Sequence, residues 1–500
     1  MSGIRVTYSG LISLLGGIIL IVTSSVFTVI VTRILPTIEY GTWGLINGLF
    51  VYVLMLSPIL SYWATREIAR GEKTGKSHLA GNGILSFAGI GVFLLISLII
   101  GNETEANFEH LYFATILVPL LLFVNILTAI NLGHKPESLA YGNIAYGATL
   151  IPTGLIFVYF LNLGIYGVII SAFIGHIANI VILIFFARSK IIGSIKKEYF
   201  KKWFKLFWIP SYPSLAIIIE GLDITIFTLI TKSVHVLAFW TAALVIPTII
   251  SQSGLISKAV YPKLLESDKQ EYVSDNLVHL FFFGILFTSI TIAFAKPALF
   301  ILNPVYQIAV FVVVILSVHM FLNVLINTFQ LSLTGIEKID ANVNATFVDY
   351  IKSKLFFIPT IRLIQSLSYI VSLIIILLIF HDNVDDMELL HYWSITILLS
   401  QIPFVIFFFK QMKKHFPLNL SKPIMKYILS SVISFGLIFF TIEQIVDYDS
   451  NLYTIVAQII SFISISSLTY ILITISIDDH SRKLVKTVIQ ALKDNLTRKS

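Results

Sequence analysis

Apolar runs of about 18 to 25 residues recur fourteen times along this 500-residue chain, separated by short charged connections. As a helix, such a run spans a hydrocarbon layer of about 30 Å at 1.5 Å per residue. The pattern predicts helices over residues 11–32, 42–63, 82–100, 111–131, 141–161, 165–187 and 207–231. It continues over 234–257, 277–295, 305–333, 360–380, 389–409, 427–445 and 452–476. The first run is too long for the apolar core of a signal peptide and carries no small-x-small cleavage site, so it reads as a retained first helix. The expected fold is an all-α, polytopic integral membrane protein of about fourteen spans.

Composition agrees: 57% of residues are hydrophobic and 12% charged, against about 25% charged in soluble domains. Cysteine is absent, which removes disulfides, thiolate metal sites and cysteine nucleophiles. The net charge of +7 suggests nucleic acid until the cations are placed on the helices. With a cytoplasmic N-terminus, 31 of the 34 Lys and Arg residues fall on the inner side, and only Arg33, Lys232 and Lys296 fall outside. That asymmetry is the positive-inside rule. It predicts a plasma-membrane protein with both termini in the cytoplasm and no nucleic-acid partner. The outer connections are acidic: Glu103, Glu105 and Glu109; Asp382, Asp385, Asp386 and Glu388; Asp447 and Asp449. They read as solvated surface, with oxygen ligation of a divalent cation at Asp382, Asp385 and Asp386 as the alternative.

The most basic connection divides the chain. Over 194–207, Ile195, Tyr199, Phe200, Trp203, Phe204 and Phe207 share one half of a helical wheel, and Lys197, Lys201, Lys202 and Lys205 share the other. A basic amphipathic helix of this kind is expected in the headgroup plane, on anionic lipid. The expected organisation is a six-helix lobe (1–187), a cytoplasmic amphipathic linker (188–206) and a second six-helix lobe (207–412). Two extra spans (413–476) and a basic tail (477–500) follow. A faint repeat supports the halves: Phe27-Thr28-Val29-Ile30-Val31-Thr32-Arg33 closes the first span, and Phe227-Thr228-Leu229-Ile230-Thr231-Lys232 closes the seventh. Repeats of like orientation are a recognised transporter plan.

Two acids lie well inside a span: Glu220 and Asp223, in the seventh. An acid there costs about 2.5–3.5 kcal/mol on insertion scales, so it reads as a functional group facing the protein interior. Three residues apart, the two share a face, and Pro210 and Pro213 place a kink or an unwound turn before them. They are candidate ion-coupling groups, with H⁺ or Na⁺ as the ion. Arg33, Arg66, Lys232, Lys258 and Arg362 sit at span ends, where they can meet a phosphate or simply snorkel to the interface. Asn323, Asn327 and Gln330 line one face of the tenth span and suit sugar hydroxyls. Other polar residues in spans, among them Asn125, Asn131, His176 and His319, read as interhelical hydrogen bonds and packed histidines. There is no nucleotide-binding loop, no HExxH and no ordered nucleophile set, so no enzyme activity, cofactor or metal is expected.

Several short motifs then resemble one family. Arg33-Ile34-Leu35-Pro36 with Glu39-Tyr40-Gly41 resembles the turn after the first helix of polysaccharide-biosynthesis flippases. These are the O-antigen repeat-unit translocases of the multidrug/oligosaccharidyl-lipid/polysaccharide exporter superfamily. Arg66-Glu67-Ile68-Ala69, Asp223-Ile224 with Phe239-Trp240-Thr241-Ala242-Ala243, and Gly335-Ile336-Glu337-Lys338 are similar to later motifs of that family. The resemblance implies two six-helix lobes around a partly cationic cavity. It also implies a polyprenyl-(pyro)phosphate-linked oligosaccharide as cargo, crossing by alternating access, and glycan-assembly enzymes as possible partners. Two departures stand out: few cations lie deep in the spans, and the Glu220/Asp223 pair does not obviously suit an anionic cargo. A drug or organic-cation antiporter of the same fold, and an integral-membrane glycosyltransferase or polymerase, are the alternatives.

Overall fold

Apolar helices dominate the computed structural model, which describes residues 4–205, 207–254, 271–337, 349, 351–448 and 451–483. The first part of the chain forms α1 (Ile4–Ile34), α2 (Thr37–Leu54), α3 (Pro58–Ala69), α4 (Gly75–Glu103), α5 (Phe108–Ala114), α6 (Leu117–Leu132), α7 (Ser138–Gly154) and α8 (Gly164–Ile191). A short α9 (Lys197–Lys205) precedes α10 (Trp208–Glu220), α11 (Leu222–Thr231) and α12 (His235–Val245). Then come α13 (Glu271–Ala293), α14 (Ala295–Leu302), α15 (Val310–Gly335), α16 (Lys354–Phe380), α17 (Asp386–His415), α18 (Ser421–Ile445) and α19 (Leu452–Ile477). No strand occurs among the described residues.

Among the described residues, twelve helices are long and apolar enough to cross a membrane, and a thirteenth span results if α2 and α3, bent by 61°, are counted as one. The chain is a multi-pass membrane protein. The expected second span, 42–63, corresponds to that bent pair: the helix breaks between Leu54 and Pro58, where proline cannot donate to the preceding turn. In α1, which runs for 31 residues, the stretch Ile19–Ile34 is apolar.

The structure divides into two compact units, Met1–Thr241 with Arg362–Leu389, and Ala242–Ile361 with Leu390–Ser500. This division falls after Thr241, inside the eighth predicted span. Glycines on α2 account for the placement of residues 221–241 in the first unit. A Cβ on Gly41 would strike the Val234 carbonyl, one on Gly44 the Thr241 side chain, and one on Gly48 would lie 2.9 Å from Ile224 Cγ2. These small residues at i, i+3 and i+7 let α2 lie against α11 and α12 almost backbone to backbone. The Tyr40-Gly41 motif is therefore a close-packing motif: Tyr40 is buried, and Gly41 admits the turn before α12.

Part of the aromatic face of the 188–206 connection is covered by protein. Trp203, on the aromatic face of α9, is fully buried in the core formed by Leu60, Ala64 and Ile68 of α3 with Leu127 and Ile130 of α6. Its Nε1 donates to Glu67 Oε1 at 3.2 Å, and Lys202 Nζ donates to the same oxygen at 3.0 Å. His78 Nε2 donates to Glu67 Oε2 at 3.0 Å, with its ring stacked 4.0 Å from that of Trp203. Trp203, flanked by the half-buried Tyr199 and Phe200, thus faces protein. Ile195, Phe204 and Phe207 remain exposed.

In the second unit the last two spans pack into its core. Tyr427, Phe435 and Ile442 of α18, and Ile455, Ile459 and Tyr470 of α19, belong to the same core as Leu277, Leu280 and Phe282 of α13. Tyr470 Oη donates to the Phe282 carbonyl at 3.0 Å, and Ser289 and Ser431 share a hydroxyl hydrogen bond of 2.5 Å. Asp478, just past α19, is buried and accepts from Tyr427 Oη at 2.9 Å, Lys426 Nζ at 3.3 Å and Ser481 N at 3.0 Å.

Candidate functional site

The seventh span, Pro210–Thr231, carries a one-residue turn at Gly221, beside the two acids and not at the prolines. Helix α10 ends at Glu220, Gly221 forms a turn, and α11 begins at Leu222. A Cβ on Gly221 would lie 2.8 Å from Val51 Cγ1, so glycine is what lets α2 approach the turn. Tyr52, one residue along α2, donates its hydroxyl to Thr225 Oγ1 at 2.7 Å. Asp223 Oδ1 accepts the Ile224 N–H at 2.7 Å, using a donor that the start of α11 leaves unpaired.

Helix α16 supplies the other wall. Its Arg362, Ser366 and Tyr369 are spaced i, i+4 and i+7, which places them on one face. Arg362 Nη2 donates to Glu220 Oε2 at 2.9 Å and Ser366 Oγ to Glu220 Oε1 at 3.1 Å. Tyr369 Oη donates to Asp223 Oδ2 at 2.8 Å. The carboxylate–guanidinium pair is largely out of solvent, with side-chain exposures of 14% for Arg362 and 29% for Glu220. Arg362 Nη1 is buried and makes no hydrogen bond. The two acids thus share a face and an opposing helix but have unlike partners: a fixed cation for Glu220, a phenol and a backbone amide for Asp223.

The other sequence candidates are dispersed. Arg66 is exposed and lies over the Tyr62 ring at 4.2 Å. Lys232 is exposed, adopts a left-handed conformation with φ of 56°, and accepts the Glu105 N–H through its carbonyl at 3.1 Å. Arg33 is half-buried near the end of α1. Lys258 lies outside the described residues. Asn323, Asn327 and Gln330 do share a face of α15, in the second unit. Asn327 is exposed and donates to Asn323 Oδ1 at 3.3 Å, while Gln330 Nε2 is buried without a hydrogen bond. Of the polar residues read as interhelical hydrogen bonds, Asn131 donates to the Leu183 carbonyl of α8 at 2.9 Å, and His176 packs on Tyr146. In the acidic loop, Asp385 Oδ1 accepts the Glu388 N–H at 2.8 Å, so this aspartate caps the start of α17. No group of three or more His, Cys, Asp or Glu placed to hold a metal occurs among the described residues.

Sequence reading missed three participants. Ser366 and Tyr369 are ordinary residues of a long apolar run and become visible only once Arg362 is known to face Glu220. The buried Glu67 stood inside a motif but showed no sign of its partners in α4 and α9.

No family model matches the chain, and no curated protein is similar to it. Solved structures match its fold. The lipid II flippase MurJ in an inward-closed conformation superposes with a TM-score of 0.63 over 96% of this chain and 99% of that one, at 15% identity. An inward-facing multidrug-resistance MATE-family transporter of the MOP superfamily gives 0.56 over 79% of this chain and 94% of its own, at 13% identity. A MOP-superfamily transporter from Pyrococcus furiosus gives 0.56 over 82% and 96%, also at 13%. At such identities the likeness is one of fold. The last two helices span 421–477, 57 residues, whereas a 96% match leaves out roughly 20. The likeness to the flippase therefore extends into that pair.

Proposed function

We propose that this chain is a secondary transporter of the plasma membrane, with fourteen spans and cytoplasmic termini. It would carry the polar head of a polyprenyl-(pyro)phosphate-linked oligosaccharide across the bilayer by alternating access. The lobes at 1–187 and 207–412 would admit the head, and the lipid tail would stay in the acyl layer. The observation that carries this reading is the acid–guanidinium–phenol cluster midway along an apolar span. Ionisable groups inside a membrane are expensive and mark transport pathways. Arg66 and Lys258 would meet the phosphate at the inner mouth, with Arg33 and Lys232 at the outer ends. Asn323, Asn327 and Gln330 would meet sugar hydroxyls. The Glu220/Asp223/Arg362 cluster would couple movement to H⁺ or Na⁺. A fold likeness to a lipid II flippase that covers 96% of this chain, against 79% for an inward-facing MATE-family transporter, favours a lipid-linked cargo over a drug.

The test is movement of a fluorescent polyprenyl-pyrophosphoryl sugar in liposomes, read by protection from a membrane-impermeant reductant. Protein-dependent, gradient-driven protection that falls at least tenfold in Asp223→Asn is expected. Movement no faster than in protein-free liposomes overturns the reading. Asp223, which has no ion-pair partner among the described residues, suits a second reading: an organic-cation antiporter. Gradient-driven accumulation of a fluorescent cation, without movement of the sugar lipid, would establish that reading instead.

A further inference from the structure

Helix α9 is held to the first unit in a way that leaves a defined charged surface outward. Around its wheel, Trp203 marks the buried side, with Tyr199 and Phe200 flanking it. Tyr199 Oη donates to Glu72 Oε2 at 3.2 Å, and Lys202 is tied to Glu67. Lys197, Lys201 and Lys205 lie on the opposite side and are exposed. At the edge between the two sides is Phe204, 49% exposed, and Phe207 just beyond the helix is equally exposed. Backbone contacts bring more cations to the start of the helix. Lys196 N donates to Ser77 Oγ at 3.2 Å, Gly75 packs on the Lys190 carbonyl, and Gly193 lies against the Lys73 carbonyl. Lys73, Lys76 and Lys196 are exposed at this junction, and Ile192 and Ile195 are exposed apolar residues within it. Glu198 is the one exposed acid on α9.

We infer that this surface is a binding site for anionic lipid headgroups. The lysines contact phosphate, and Phe204, Phe207 and Ile195 enter the boundary of the acyl layer. A soluble acidic partner would account for the lysines but not for bulky apolar side chains left bare among them. The membrane interface demands both. The site is preorganised, because Glu67 fixes α9 through Trp203 and Lys202 before any lipid arrives, so binding orders no free segment. Bound lipid in turn stabilises the docked helix by mass action. Under the orientation proposed above, the leaflet is the cytoplasmic one. The binding itself depends neither on that orientation nor on the cargo.

The experiment is a thermal-unfolding titration of the full chain in detergent with phosphatidylglycerol, and with phosphatidylcholine as the neutral comparison. Phosphatidylglycerol should raise Tm well above the effect of phosphatidylcholine, and the difference should shrink with added salt. The variant K197Q/K201Q/K205Q should weaken the apparent affinity for phosphatidylglycerol roughly a hundredfold. The variant K410Q/K413Q/K414Q removes the same charge at the end of α17 and should leave that affinity within a fewfold. Phe204→Ser should weaken it with all lysines intact. Equal stabilisation by the two lipids, or equal losses in the two triple-lysine variants, overturns the inference. So does equal stabilisation by soluble pyrophosphate, which would make the surface a reader of phosphate and not of a bilayer.

Discussion

Glu220 and Asp223 illustrate what a charge inside an apolar run reveals and what it conceals. Their positions were plain, because nothing else in the seventh span carries a charge. Their partners were not, because α16 lies about 140 residues downstream and no local pattern joins the two helices. Arg362 was read as a span-end cation since the eleventh apolar run was started at 360, just after Pro359. The helix in fact begins at Lys354, which places Arg362 two turns in, about 12 Å along the axis. There its charge is answered by Glu220. Breaking such a pair leaves an uncompensated charge, and Arg362→Met alone should cost of order 3 kcal/mol. The double variant Glu220→Gln with Arg362→Met should recover most of that loss. A double variant whose Tm in detergent is no higher than that of the single variant would count against the pairing.

At the scale of elements, the helices followed closely from the apolar runs, and their contacts did not. What the glycines of α2 admit was not legible in the run that holds them. Gly41→Ala should lose about 1–3 kcal/mol by overpacking against the Val234 carbonyl. Gly83→Ala, where the added methyl meets nothing within 4 Å, should be neutral or gain up to about 1 kcal/mol in helix propensity. Similar effects at the two positions on thermal unfolding would contradict the account of α2. The amphipathic wheel of 194–207 was legible, but the cover of protein over Trp203 was not, because periodicity shows that a face is apolar and not what covers it. Truncating a buried Trp typically costs about 3–5 kcal/mol, so Trp203→Ala should release α9. Trypsin should then cut among Lys197, Lys201, Lys202 and Lys205 much faster than in the parent chain.

For the whole molecule, the positive-inside pattern and run lengths made the membrane class and the approximate span number readable. How the spans pool into packing units was not, since every run is apolar all round. The last two helices make the point: Tyr427, Phe435 and Tyr470 share a core with α13, and Asp478 fastens α18 to the end of α19. Burial alone would push the Asp478 carboxyl up. The Ser481 N–H, the Tyr427 hydroxyl and Lys426 outweigh it and hold the group below its ordinary value. A carboxyl depressed in the folded state stabilises above its unfolded pKa, about 4, and loses that contribution as pH falls through the folded value. Thermal stability should therefore decline below about pH 4, with a shallower decline in Asp478→Asn. An unchanged acid profile in that variant would remove Asp478 from the account. A chain ending at residue 412 should fail to give a monodisperse protein.

The grip of Glu67 on Lys202 and Trp203 also bears on how much slack the chain has between its sixth and seventh spans. With α9 fastened, the length available as a leash is the few residues from Lys205 to Trp208, not the whole basic stretch from residue 188. Gly-Ser spacers inserted after Lys205 should lengthen that leash and be borne well. The same spacers inserted after Gly193 would push the clamp out of register with its carboxylate.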